Sequence, residues 1–189
     1  MKFKLGLTGS MGMGKTSTAA LFEKHNCGVW DADKAVHRLY KKGGHAIKPI
    51  AKHFPKAVID GSVNRNELKK YLQKDFDQIT LLENIVHPLV SADRNIFIEK
   101  TKYKINVFYI QLLFETGSNK TMDKVACVFV SKIIQMERIR SRNTMRETEI
   151  NKILQQQMPI EEKCNLSDFV IETYNKDCLL YTSPSPRDP

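Results

Sequence analysis

No run of about 18 apolar residues occurs in this 189-residue chain, so no membrane-spanning helix is expected. The N-terminus runs straight into an apolar segment and shows no basic stretch followed by an apolar leader and a cleavage site. A cytoplasmic location follows by default. The four cysteines (Cys27, Cys127, Cys164, Cys178) are scattered, with no C-x-x-C pair and no metal-ligand spacing. They read as reduced thiols, neither a disulfide framework nor a zinc site. No motif for reading RNA or DNA accompanies the basic balance of 30 Lys and Arg against 21 Asp and Glu. The net charge of +9 could mean nucleic acid, but a basic cleft serves a highly phosphorylated small molecule equally well. The latter is the expectation, with most of the cations read as a solvated surface.

What is present begins at Phe3. Residues 3 to 8 are apolar enough for a buried strand, and Gly9 to Thr16 match G-x-x-x-x-G-K-S/T. Ser17 to Lys24 lack Gly and Pro and place Ala19, Ala20, Leu21 and Phe22 where a helix would bury them. Strand, glycine turn and helix are the context a phosphate-binding loop requires. The glycines (Gly9, Gly12, Gly14) admit close approach of a bulky anion, and Ser10, Met11, Met13 and Ser17 complete the cradle of N–H groups at the helix N-terminus. Lys15 would reach the β- and γ-phosphates of ATP, and Thr16 would place a hydroxyl on Mg²⁺.

Gly28 reads as the end of the first helix, and Val29 and Trp30 form a short strand, with Asp31 and Asp33 at its C-terminal end. Ligands of open parallel sheets bind at that edge. A carboxylate there could accept the proton of an attacking hydroxyl or hold a metal-bound water, and either Asp could equally cap a helix. Residues 34 to 103 read as mostly helical with no central strand. Asp60-Gly61-Ser62 is a turn, and His87-Pro88 separates two helices with Pro88 opening the second. His87 reads more readily as a packing or capping residue than as a catalytic one. Ile105 to Ile110 and Lys124 to Val130 are further strands, Glu115 lies just past the first of them, and Asp168 to Ile171 form the fifth strand. Ser131 to Asn143 and Glu147 to Met158 are helices around a hinge at Asn143-Thr144-Met145. Arg138, Arg142 and Arg146 fall on one face if the first helix persists that far. Arginines on a mobile lid are what phosphoryl transfer needs, although a solvated basic face would show the same pattern. Asn119-Lys120-Thr121-Met122 lacks the Asp of a guanine-reading motif, and no D-x-x-G follows, which argues against a GTPase switch.

Taken in order, these segments resemble the dephospho-CoA kinase family of P-loop kinases over about residues 3 to 175. The resemblance lies in the phosphate loop, in Asp31-Ala32-Asp33, in His87-Pro88-Leu89-Val90, in Leu112-Leu113-Phe114-Glu115, and in Gln157-Met158-Pro159 with Glu161-Glu162-Lys163. It departs at Gln111, where the family often has Pro, at Asn143, where Asp commonly follows the lid arginine, and at Glu172-Thr173, where D-N is usual. The resemblance implies an α/β P-loop kinase fold: a five-stranded parallel sheet flanked by helices, with a helical substrate-binding insertion and a helical lid. It implies ATP-dependent phosphorylation of the 3′-hydroxyl of dephospho-CoA, with Asp33 as base, Lys15 and Thr16 serving ATP and Mg²⁺, and Arg142 with Arg138 on the lid. Asp31, His87 and Glu115 are then expected on the substrate side. The expected division is one domain over 1–177, with core 1–33, 104–135 and 164–175, substrate region 34–103 and lid 136–163. The partner is the small substrate, with no nucleic acid and no membrane, in a monomer or weak homo-oligomer. A nucleoside monophosphate kinase and a P-loop ATPase remain alternatives. Residues 178 to 188 resemble a translated sequencing adapter, so residues 178–189 are read as a non-native tail standing in place of a C-terminal helix.

Overall fold

Continuous apolar runs, not alternation, mark the principal strands of this chain, as expected when both faces of a parallel sheet are covered. The computed structural model describes residues 2–73, 76–143, 146–155, 157–174 and 182–184. In order, the elements are β1 (Phe3–Thr8), α1 (Lys15–Lys24), β2 (Gly28–Asp31), α2 (Ala32–Tyr40), α3 (Ile47–His53), β3 (Val58–Ile59), β4 (Ser62–Val63), α4 (Arg65–Leu72) and α5 (Phe76–Lys100). There follow β5 (Ile105–Tyr109), β6 (Lys124–Phe129), α6 (Lys132–Ser141), α7 (Glu147–Gln155), α8 (Ile160–Leu166), β7 (Phe169–Glu172) and β8 (Thr182–Pro184).

The main sheet has the order β2-β5-β1-β6-β7-β8, and its first five strands run parallel. β1 is central, with Leu5 opposite Val107 on β5 and Leu7 opposite Ala126 on β6. The chain therefore leaves β1 between two strands that come later in sequence, a switch point where an open α/β sheet forms its crevice. β8 was not foreseen. It lies in the tail set aside as non-native and adds antiparallel to β7, with Val170 opposite Ser183.

The chain divides into two compact units, residues 1–30 with 102–189, and residues 31–101. The core of the first is built from Leu5, Leu7, Val107, Ala126, Val128 and Ile171, all buried. Its cysteines Cys27, Cys127 and Cys164 are free thiols, and Cys178 lies outside the described residues. The Cys164 and Cys127 sulfurs lie 3.7 Å apart, and that contact together with burial pushes the Cys127 thiol up.

The second unit packs Leu39, Ile50, Phe54, Leu68 and Val86 together. One sequence expectation changes here. Residues 76 to 100 form one helix with Pro88 inside it, not two helices divided at His87-Pro88. Pro88 is exposed while Val86 is buried and Leu82, Ile85, Leu89 and Val90 pack against the same core, so burial on one face carries the helix past the missing N–H. The turn at Asp60-Gly61 carries a small hairpin, with Val58 opposite Val63. Positive φ at Asp60 (51°) and Gly61 (74°) gives the tight reversal such hairpins require.

The arginine-bearing helix is also shorter than expected. α6 ends at Ser141 with Arg142 as its C-cap, and Asn143 turns left-handed at φ 46°. Arg138, Arg142 and Arg146 therefore do not share one helical face. Of the expected hinge, Thr144 and Met145 lie outside the described residues. α7 ends at Gln155, before the expected Met158.

Candidate functional site: the phosphate loop and its supports

The loop from Gly9 to Gly14 carries the chain from the centre of the sheet into α1. Gly14 is the N-cap of α1 and is left-handed, at φ 97°. A Cβ on Gly14 would lie 2.8 Å from the Thr173 hydroxyl, and one on Gly9 would lie 2.6 Å from the Val128 carbonyl oxygen. Only glycine lets the loop lie this close to the sheet and to the end of β7. The first turn of a helix offers N–H groups and a partial positive charge to an anion, and the loop delivers the chain into the first turn of α1.

Lys15 is 5% exposed, and its Nζ donates to the Ser10 carbonyl at 2.7 Å, so the cation lies folded over its own loop. Thr16 and Ser17 are exposed, and the Thr16 hydroxyl makes a long 3.4 Å contact with the Tyr109 hydroxyl. Ser10, Gly12 and Met13 are buried.

Four side chains from distant parts of the chain hold this loop. The Thr173 hydroxyl donates to the Met13 carbonyl at 2.6 Å. Arg138 donates in turn to that hydroxyl at 3.1 Å and to the carbonyls of Thr173 and Tyr174. Gln135 donates through Nε2 to the Met11 carbonyl at 2.7 Å. Gln157 accepts through Oε1 from the Met11 N–H at 3.3 Å. Arg138 is thus engaged at the end of β7, whereas Arg142 is exposed.

Glu115 is tied to a buried cation. Lys163 is fully buried on α8, and its Nζ lies 2.8 Å from Glu115 Oε1 and donates to the Gln111 carbonyl at 3.0 Å. Glu115 Oε1 also accepts from the Met158 N–H at 3.0 Å. Partial burial opposes ionisation of Glu115, but the hydrogen bonds from Lys163 and the backbone N–H groups outweigh it. The carboxyl is held below its ordinary value.

The structure therefore brings together the loop residues, Arg138 and the region of Glu115, all within the first unit. Asp31, Asp33 and His87 belong to the second. Asp31 closes β2 and caps α2, its carboxylate accepting from the Lys34 N–H at 3.0 Å. Asp33 is exposed in the first turn of α2, and His87 is exposed on α5. Sequence reasoning missed Gln135, Thr173 and the structural roles of Gln157 and Lys163. Gln157 and Lys163 carried a signal only as part of the family resemblance and Thr173 only as a departure from it, and Gln135 carried none, since each lies far along the chain from the loop it serves.

A parallel sheet whose central strand turns through a glycine loop onto a lysine and a threonine defines a P-loop kinase fold. Within that class the chain belongs to the dephospho-CoA kinase family (CoaE), whose model matches residues 3–177. A dephospho-CoA kinase of Ruegeria pomeroyi is 49% identical over 177 residues, covering 94% of this chain and 90% of that protein. The crystal structure of TT1252 from Thermus thermophilus superposes with a TM-score of 0.84 at 26% identity, covering 94% of this chain and 92% of that one. A dephospho-CoA kinase from Campylobacter jejuni shares the fold, with a TM-score of 0.67 at 23% identity over 95% of this chain and 93% of that one.

Proposed function

We propose that this enzyme transfers the γ-phosphoryl group of ATP to the ribose 3′-hydroxyl of dephospho-CoA, releasing ADP and coenzyme A. The observation that carries the reading is the family match over residues 3–177, which spans the loop and every element that supports it. Phosphoryl transfer asks a protein mainly for positioning and charge neutralisation. The loop N–H groups and Lys15 hold the triphosphate. Asp33 takes the proton of the 3′-hydroxyl as its oxygen bonds to the γ-phosphorus, and the bond to the β-phosphate oxygen breaks. Arg142 neutralises the transferring group, while Arg138, committed to Thr173 and Tyr174, fixes the base of the lid.

The hard oxygen of Thr16, exposed and only loosely engaged by Tyr109, suits Mg²⁺, with triphosphate oxygens and water completing the shell. Among the described residues there is no cluster of three or more His, Cys, Asp or Glu side chains that could hold a metal. When bound, Mg²⁺ would supply charge neutralisation for the transferring group. We assign the core, with Asp31, to 1–33, 104–135 and 164–175, the lid to 136–163, and dephospho-CoA, with His87, to the helical region 34–103. Glu115, on the substrate side, also ties down the return of the lid through Lys163 and Met158. No described helix is long and apolar enough to cross a membrane. The proposed setting is the cytoplasm, as a monomer or weak homo-oligomer.

The test is ADP release with Mg-ATP, comparing dephospho-CoA with AMP, adenosine and no acceptor. ADP and coenzyme A formed only with dephospho-CoA is the expected result. ADP formed with AMP would favour a nucleoside monophosphate kinase, and ADP formed equally without acceptor would favour an ATPase.

A further inference from the structure

Met11 is held by side chains at both its N–H and its carbonyl. The donor and acceptor roles of the two glutamines are fixed by chemistry, because a peptide carbonyl can only accept and a peptide N–H can only donate. Gln135 must therefore present its NH₂, at 2.7 Å, and Gln157 its oxygen, at 3.3 Å. Both side chains belong to buried residues, 6% and 8% exposed, where an unpaired amide would be penalised. They come from the two ends of one excursion of the chain. Gln135 lies on α6 three residues before Arg138, and Gln157 lies just past α7, beside Met158. Each end is fastened further. α6 packs directly on the loop, since a Cβ on Gly12 would meet Ile139 Cγ1 at 2.8 Å. The Gln157-Met158 segment is fixed by the Met158 N–H on Glu115, which the buried Lys163 holds in turn.

We propose that Gln135 and Gln157 are positioning residues for the nucleotide: together they clamp Met11 and hold the phosphate loop open in its ATP-binding form. The clamp links the loop to both ends of the arginine-bearing segment. It rests on the reading of the loop as the ATP site and not on the identity of the acceptor.

The experiment measures Mg-ADP and Mg-ATP dissociation constants by titration calorimetry. The proteins are the wild type, Gln135→Met, Gln157→Met and the double variant, each with a thermal melt. Methionine keeps the length and removes the hydrogen bond. Each single change is expected to weaken nucleotide binding about tenfold, the scale of one lost neutral hydrogen bond. The double change should cost little more than either one, because both act on one residue. KM for dephospho-CoA should stay within twofold. Nucleotide affinity within twofold of wild type in either folded variant would overturn the clamp. So would fully multiplicative losses in the double variant, or equal losses for nucleotide and acceptor. Nucleotide binding needs no acceptor, so a failure of dephospho-CoA turnover in the wild type would sink the proposed reaction and leave this test standing.

Discussion

Gly14 and Asp33 show how single positions carry this site. At Gly14 the left-handed backbone and the Thr173 hydroxyl 2.8 Å from a would-be Cβ act together. In Gly14→Ala the new methyl would push on the side chain that holds Met13 and receives Arg138. The left-handed conformation alone costs about 1–2 kcal/mol for an L-residue. A melting point lower by about 2–8 °C and ATP binding weakened at least about tenfold are expected, read by calorimetry and nucleotide titration. Wild-type ATP affinity in this variant would mean that Thr173 yields freely. Asp33→Asn keeps the shape and removes the base. Turnover should fall by about 10²-fold or more, with ATP affinity within twofold. Wild-type turnover would remove Asp33 from the mechanism.

Among the elements, α5 conflicts most openly with local propensity. Its interior proline cannot donate to the Asn84 carbonyl, yet the helix runs on to Lys100. An interior proline costs about 3 kcal/mol relative to alanine, offset by about 0.4–1 kcal/mol from the stiffer unfolded chain. Pro88→Ala is therefore expected to raise the melting temperature by several degrees, and circular dichroism during heating checks it. A lower melting temperature would mean that the packing of Val86 and its neighbours depends on a bend at Pro88. α6 behaves in the opposite way. Its sequence would allow it to continue, but it stops at Ser141 because Asn143 turns left-handed. That stop separates Arg146 from Arg138 and Arg142, and α6 and α7 are joined across it by the exposed Arg140–Glu147 pair at 2.7 Å.

For the molecule as a whole, the Lys163–Glu115 pair links stability to pH. The Glu115 carboxyl ionises more readily folded than unfolded. Its contribution is therefore complete above the unfolded value, about 4.3, and is lost as pH falls through the lower folded value. Glu115→Gln imitates the protonated state and leaves the buried Lys163 without its counter-charge. The variant should melt lower than wild type at pH 7, with a gap that is steady down to about pH 5 and closes below about pH 4. Melts across that range measure it. A gap that persists unchanged at pH 3 would mean that the loss is one of shape and not of charge. The net charge of +9 grows as carboxylates protonate, so both proteins lose stability together on the acid side.

The five parallel strands, the phosphate loop and the chemical class were legible in the sequence because each is a local pattern. An apolar run makes a buried strand wherever it lies, and G-x-x-x-x-G-K-T carries its own backbone geometry into the helix that follows. The turn at Asp60-Gly61 was equally local, whereas the sequence left Asp31 open between a helix cap and a substrate contact. What only the tertiary structure decided depends on residues far apart in the chain. Pro88 stays inside a helix because a core it cannot specify by itself buries the neighbouring side chains. Lys163 reads as one more surface cation until α8 carries it against Gln111 and Glu115. Nothing local in the sequence ties Gln135, Gln157 or Thr173 to the phosphate loop. Hydrogen bonds to a loop more than a hundred residues away form only once the sheet order has set β1 beside β6 and β6 beside β7.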